Sequence, residues 1–181
     1  MIVSNFFGGP GVGKSTLAAI VYSMLKRRGI NCEYSHEWIK WRLVWEGDSD
    51  IVDDQLFIFA NQHRQQFVLR DKVDVCITDS PLMMSLAYGK MFEAKSTKDS
   101  NPFFDLVRDR ANSFDNLNFW VHRSHPYDHA GRPQTETQAN IVNTQIQMEL
   151  ENEGVPLNYI DSNIDPYDVV ERIIRELEQR G

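Results

Sequence analysis

Gly8-Gly9-Pro10-Gly11-Val12-Gly13-Lys14-Ser15 has the spacing G-x-x-x-x-G-K-[ST] of the phosphate-binding loop called Walker A. The chemistry of that pattern is anion capture. Glycines let the backbone curl until successive N–H groups point inward at phosphate oxygens. The lysine brings a positive charge to the β- and γ-phosphates, and the serine hydroxyl is a ligand for Mg²⁺. Gly9, Pro10, Gly11, Val12, Gly13, Lys14, Ser15 and Thr16 are therefore the expected ATP-binding residues.

Other residues carry chemistry that fits beside such a loop, each with a plainer alternative. Asp79 closes the apolar run Val73-Asp74-Val75-Cys76-Ile77-Thr78, the place of an acid that holds Mg²⁺, directly or through water. The same position before Ser80-Pro81 also suits a helix N-cap. Glu37 follows the run 31–35 and is placed to take a proton from an attacking hydroxyl, or to stand as a solvated acid in a first helical turn. Arg123 and Arg132 bracket a loop rich in His, Pro and Gly. They would neutralise a transferring phosphoryl group from a closing lid, or belong to a solvated basic loop. His122, His125 and His129 raise a zinc reading, but Pro126 breaks the helix that would align them and no cysteine accompanies them.

Acceptor recognition has weaker candidates. Trp38, Trp41 and Trp45 recur at i, i+3 and i+7, and with Phe59 could stack on a base or pack as core. Asn61, Gln62 and Arg64 offer amides and a guanidinium that read base edges or bind a phosphate, or simply form a wet helix face. Trp38, Trp41, Phe59, Gln62 and Arg64 are the expected acceptor-side residues.

The elements that must position these groups alternate. Strands are expected at 2–7, 31–35, 73–79, 118–121 and 157–160. Helices are expected at 16–26, 38–45, 53–71, 82–91, 103–114, 136–153 and 166–179. The polar stretch 93–102 reads as a connection and 122–133 as a loop. Strand–helix alternation implies a parallel sheet with helices on both faces, and ligands gather at the carboxyl ends of its strands. That rule selects the glycine loop, Glu37, Asp79 and the segment after Val121.

The whole chain sets bounds. At 181 residues one domain spanning 1–181 is expected. Net charge is −7, which counts against nucleic acid, but residues 151–181 hold eight acids and three arginines, leaving only −2 for the first 150 residues. No apolar run approaches the length of a membrane span, the start lacks signal-peptide regions, and Cys32 and Cys76 stand apart without metal or redox spacing. A cytoplasmic protein is the expectation.

Phe7 through Thr16, His36-Glu37-Trp38, Asp54 through Ala60, Ile77 through Leu82, Pro126-Tyr127 and Gly131 through Glu136 together resemble a group of small P-loop kinases common in bacteriophage genomes. That group is similar to the kinase domain of nicotinamide riboside kinase and, more distantly, to thymidylate kinase. One branch of it comprises the phage 5-hydroxymethyluracil DNA kinases. Where the group often has Glu-Tyr-Ala-Lys, this chain has Glu37-Trp38-Ile39-Lys40. The resemblance implies a three-layer α/β P-loop kinase fold with a five-stranded parallel sheet and a lid at about 122–136. It implies ATP and Mg²⁺ as cofactors and phosphoryl transfer to a hydroxyl of a nucleoside-type acceptor. The acceptor it points to first is the 5-hydroxymethyl group of 5-hydroxymethyluracil in phage DNA, in the host cytoplasm. The rivals are a kinase of free nucleosides or nucleotides and a P-loop ATPase switch.

Overall fold

The computed structural model describes residues 1–92, 102–128 and 134–180. Five strands, β1 (Ile2–Phe7), β2 (Cys32–Ser35), β3 (Val75–Thr78), β4 (Asp115–His122) and β5 (Asn158–Asp161), form one sheet in the order β2-β3-β1-β4-β5. Every pairing is parallel; Ile2 stands opposite both Val75 and Asp115. All carboxyl ends therefore share one edge. The chain leaves β1 toward one side and β3 toward the other, which opens a crevice at that edge.

Seven α-helices are described: α1 (Lys14–Arg27), α2 (Trp38–Lys40), α3 (Gln55–Phe67), α4 (Met84–Phe92), α5 (Pro102–Asn112), α6 (Glu136–Asn152) and α7 (Pro166–Arg180). The alternation in β1 explains the layers, because successive side chains of a strand face opposite ways. Phe6 joins a core with Leu17, Val21 and Leu25 of α1 and Val169, Val170 and Ile173 of α7. Val3 faces the other side, against Phe59, Leu86 and Val107, and Phe7 packs there with Met84, Trp120 and Ile146. Helices thus cover both faces of the sheet. Among the described residues no helix is long and apolar enough to cross a membrane.

The helix expected at 53–71 forms as Gln55–Phe67 and the strand expected at 73–79 as Val75–Thr78, and three other departures bear on the site. α1 starts at Lys14, inside the loop motif, because Gly13 turns the backbone at φ +97° and its carbonyl accepts the Leu17 N–H. A side chain at Gly13 would be strained there. β4 starts three residues earlier than its apolar run. Asn116 and Asn118 are half-buried and buried, and both accept from the Asn5 amide, which joins β4 to β1 through a polar ladder. The expected helix 38–45 is instead one α turn followed by a π-helical turn, Trp41–Trp45. The wider turn rotates the tryptophan stripe, and Trp41 and Trp45 emerge 65% exposed rather than in the core.

Both cysteines are fully buried, and burial raises both thiols, Cys76 to about 12. Thiolate is then scarce at pH 8, and only the thiolate reacts. The native protein is expected to leave a disulfide reagent unreacted at pH 8 and to release two thiols on unfolding in guanidinium. One fast-reacting thiol per native chain would contradict this burial.

Candidate functional site

The loop after β1 rises from the centre of the sheet and turns into α1, so its N–H groups and the helix N-terminus face the crevice. Gly9 is a point of close approach. A Cβ there would lie 2.5 Å from Asn143 Cβ and 2.8 Å from Asn143 Cα. Its N–H donates to Asn143 Oδ1 at 2.6 Å, and its carbonyl accepts from Lys14 Nζ at 2.8 Å. At Gly13 a Cβ would meet Ser162 Cβ at 3.2 Å and His125 Nε2 at 3.4 Å. His125 therefore stands over the end of the loop, with Nδ1 against the Pro126 carbonyl.

A cavity of about 260 Å³ runs from this loop to α3 and α4. Pro10, Gly11, Gly13, Lys14, Ser15 and Thr16 line its phosphate end. Glu37, Lys40, Gln55, Gln62 and Tyr88 line the other end, with Ile39, Leu43, Val44 and Ile58 as apolar wall. An apolar slot with a few polar groups fits a small ligand.

Asp79 sits just past β3 and is 4% exposed. Its Oδ1 is buried and has no hydrogen-bond partner among the described residues. Asp79 is not the N-cap of α4, which begins five residues further on at Met84. Leaving a buried carboxylate oxygen unpaired costs stability, and an oxygen of this kind could hold a cation. Tyr34 ties the acids together. Its hydroxyl donates to the Ser15 carbonyl at 3.5 Å. Burial raises its phenol far above the usual range, and the charge of Asp79, a hydrogen bond with it and the charge of Glu37 add to that. Burial raises the Tyr88 phenol too, again with the charge of Glu37 behind it. Glu37 thus lines the cleft with the glycine loop, Asp79 lies beside Tyr34 behind the cleft wall, and both phenols stay protonated as donors.

The other expected residues go to different places. Gln62 is buried at the cleft wall, donating to Ser35 Oγ at 3.0 Å and accepting the Trp38 N–H at 3.1 Å. Trp38 stacks edge-on against Phe57, and neither it nor Trp41 lines the cavity. Phe59, 2% exposed, belongs to the core beneath α3 and not to the cleft. Arg64 is exposed outside the cavity lining. Arg123 is tied to α6, donating to Glu136 Oε1 at 2.8 Å and Asn140 Oδ1 at 3.0 Å, with its guanidinium over Tyr127. His122 stacks on Tyr159. Arg132, His129 and Gly131 lie outside the described residues. Tyr34 and Asn143 carry no sequence signal of their own, and Gln55 was marked only by the resembling stretch Asp54 through Ala60.

Residues 3–166 match the protein family described as AAA domain. The chain belongs to this AAA domain family. No functionally curated protein matches it. Two solved structures share the AAA domain's architecture. One is the NadR protein in complex with NR, at 18% identity and TM-score 0.68, covering 97% of this chain and 51% of NadR. The other is deoxyadenosine kinase from M. mycoides with bound dATP, at 16% identity and TM-score 0.55, covering 98% of this chain and 100% of that one. This AAA domain thus spans about half the length of NadR, and its fold is that of P-loop kinases.

Proposed function

We propose that this AAA domain binds ATP with Mg²⁺ and transfers the γ-phosphate to a hydroxyl of a free nucleoside-type small molecule. The observation that supports the reading is the Gly9–Thr16 loop and Glu37 lining one cavity, with Asp79 just behind its Ser80–Pro81 wall and carrying an oxygen that is buried and unpartnered among the described residues. Lys14 and the loop amides bind the triphosphate and offset its charge. Ser15 and Asp79 would hold Mg²⁺, which supplies charge neutralisation at the phosphates when bound. Glu37 takes the proton of the acceptor hydroxyl as its oxygen bonds to the γ-phosphorus and the bond to the β-phosphate oxygen breaks. Gln55 and Gln62 offer amide edges to the acceptor between apolar walls. Arg123 takes part only after leaving Glu136 and Asn140, and Arg132 would act from the lid.

A second reading keeps the chemistry and changes the acceptor to 5-hydroxymethyluracil in DNA. Trp41 and Trp45 favour it, because two exposed indoles next to the cleft can stack on unpaired bases. Against it, five acids, Glu46, Asp48, Asp50, Asp53 and Asp54, follow Trp45 within nine residues; Arg42 pairs with Glu46 and Asp48, and the other three would repel a phosphate backbone.

The test is transfer of labelled phosphate from ATP to a panel of nucleosides and to DNA containing that base. Transfer to nucleosides with little salt dependence is expected. Transfer to DNA alone, falling steeply with salt, would establish the second reading. Acceptor-independent hydrolysis alone would replace both with an ATPase switch.

A further inference from the structure

α6 touches the phosphate loop and the base of the lid with one face. Its first turn is locked by a capping box, in which Thr135 accepts the Gln138 N–H and Gln138 Oε1 accepts the Thr135 N–H. Glu136, Asn140 and Asn143 stand at i, i+4 and i+7, one side of a helix. The first two hold Arg123, which follows β4. The third holds Gly9 at 2.6 Å.

Gly9 is gripped at both backbone groups. Its N–H is fixed by Asn143, and its carbonyl is the resting partner of Lys14 Nζ at 2.8 Å. The helix backbone itself lies against Gly9, leaving no room for a Cβ. We infer that Asn143 is a positioning residue for the triphosphate site: it fixes Gly9, and through the Gly9 carbonyl it keeps the Lys14 ammonium over the nest before nucleotide arrives. A lysine ordered in advance loses less conformational freedom on binding. A neutral amide suits the task, because it accepts the N–H without placing a negative charge beside phosphates, as a carboxylate would.

This inference rests on the Gly9–Thr16 loop being an ATP site, and the test separates the two. MgATP affinity is titrated for the wild type, Asn143→Ala, Lys14→Ala and the double variant, with a circular-dichroism melt confirming that each is folded at the assay temperature. Asn143→Ala is expected to bind MgATP about tenfold more weakly, which is about 1.4 kcal/mol. In the Lys14→Ala background the same change is expected to cost less than about twofold, because residues acting through one another are not additive. A merely structural role would not depend on Lys14. If Asn143→Ala does not fold, Asn143→Ser takes its place with the same expectations. Absence of MgATP binding by the wild type would remove the ATP site itself. Wild-type binding with Asn143→Ala within twofold of it, or a full tenfold loss in both backgrounds, would overturn the role of Asn143 alone.

Discussion

Lys14→Ala is expected to reduce phosphoryl transfer by about 100-fold or more, the scale of losing a charged donor aimed at a transition-state oxygen. Its melting temperature is expected to stay within about 4 °C of the wild type. The reasoning is local. The Gly9 carbonyl is a half-buried partner of the ammonium at 2.8 Å, and a single such bond contributes about 1–1.5 kcal/mol net. In the reaction the same ammonium faces charge spread over the departing phosphates inside a cleft with apolar walls, where electrostatic terms are larger than in bulk water. Activity and stability should therefore separate. Equal loss of both, read from initial rates and a thermal melt, would mean that Lys14 is a structural residue.

Asp79→Asn is expected to separate them further. The carboxylate is almost wholly buried, with one oxygen unpartnered among the described residues. An unpaired buried charge opposes folding, so a neutral amide of the same shape is expected to leave stability unchanged or raise it by about 1 kcal/mol or more. Turnover is expected to fall by about 100-fold or more, because the site loses its anionic ligand for a hard cation. Melts with ATP, with and without Mg²⁺, provide the second measurement: added Mg²⁺ raises the wild-type melting temperature and leaves that of Asp79→Asn unmoved. A variant that melts well below the wild type without ligands would show that Asp79 is a structural acid.

Much of this site was legible because its parts are contiguous in sequence. The phosphate loop is one octapeptide whose glycines and lysine each have a geometric reason. Asp79 and Glu37 were selected because each follows a strand of a parallel sheet, and residues there fall at the carboxyl-end edge. The five strands followed from alternation, and the amide ladder of Asn5, Asn116 and Asn118 concealed the first half of β4. Residues that reach the site through tertiary packing left no such trace. Asn143 lies in the middle of a polar helix and matters only because that helix rests on Gly9. Tyr34 matters because β2 and β3 are neighbours, which brings it beside Asp79. The tryptophan stripe misled because helical spacing presumes 3.6 residues per turn, and a π turn at Trp41–Trp45 breaks that count. Phe59 shares a helix with Gln62, yet it faces the core while Gln62 faces the cleft. Arg123 was expected at the phosphates, but the acids and amides of α6 hold it in this arrangement.

The most direct test is a crystal structure with Mg²⁺ and a non-hydrolysable ATP analogue. The account predicts the triphosphate wrapped by Gly9–Thr16, Lys14 Nζ moved from the Gly9 carbonyl to the β- and γ-phosphates, and the metal between Ser15 and Asp79. A triphosphate bound elsewhere, or one in the loop with its terminal phosphate pointing away from Asp79 and Glu37, would contradict it.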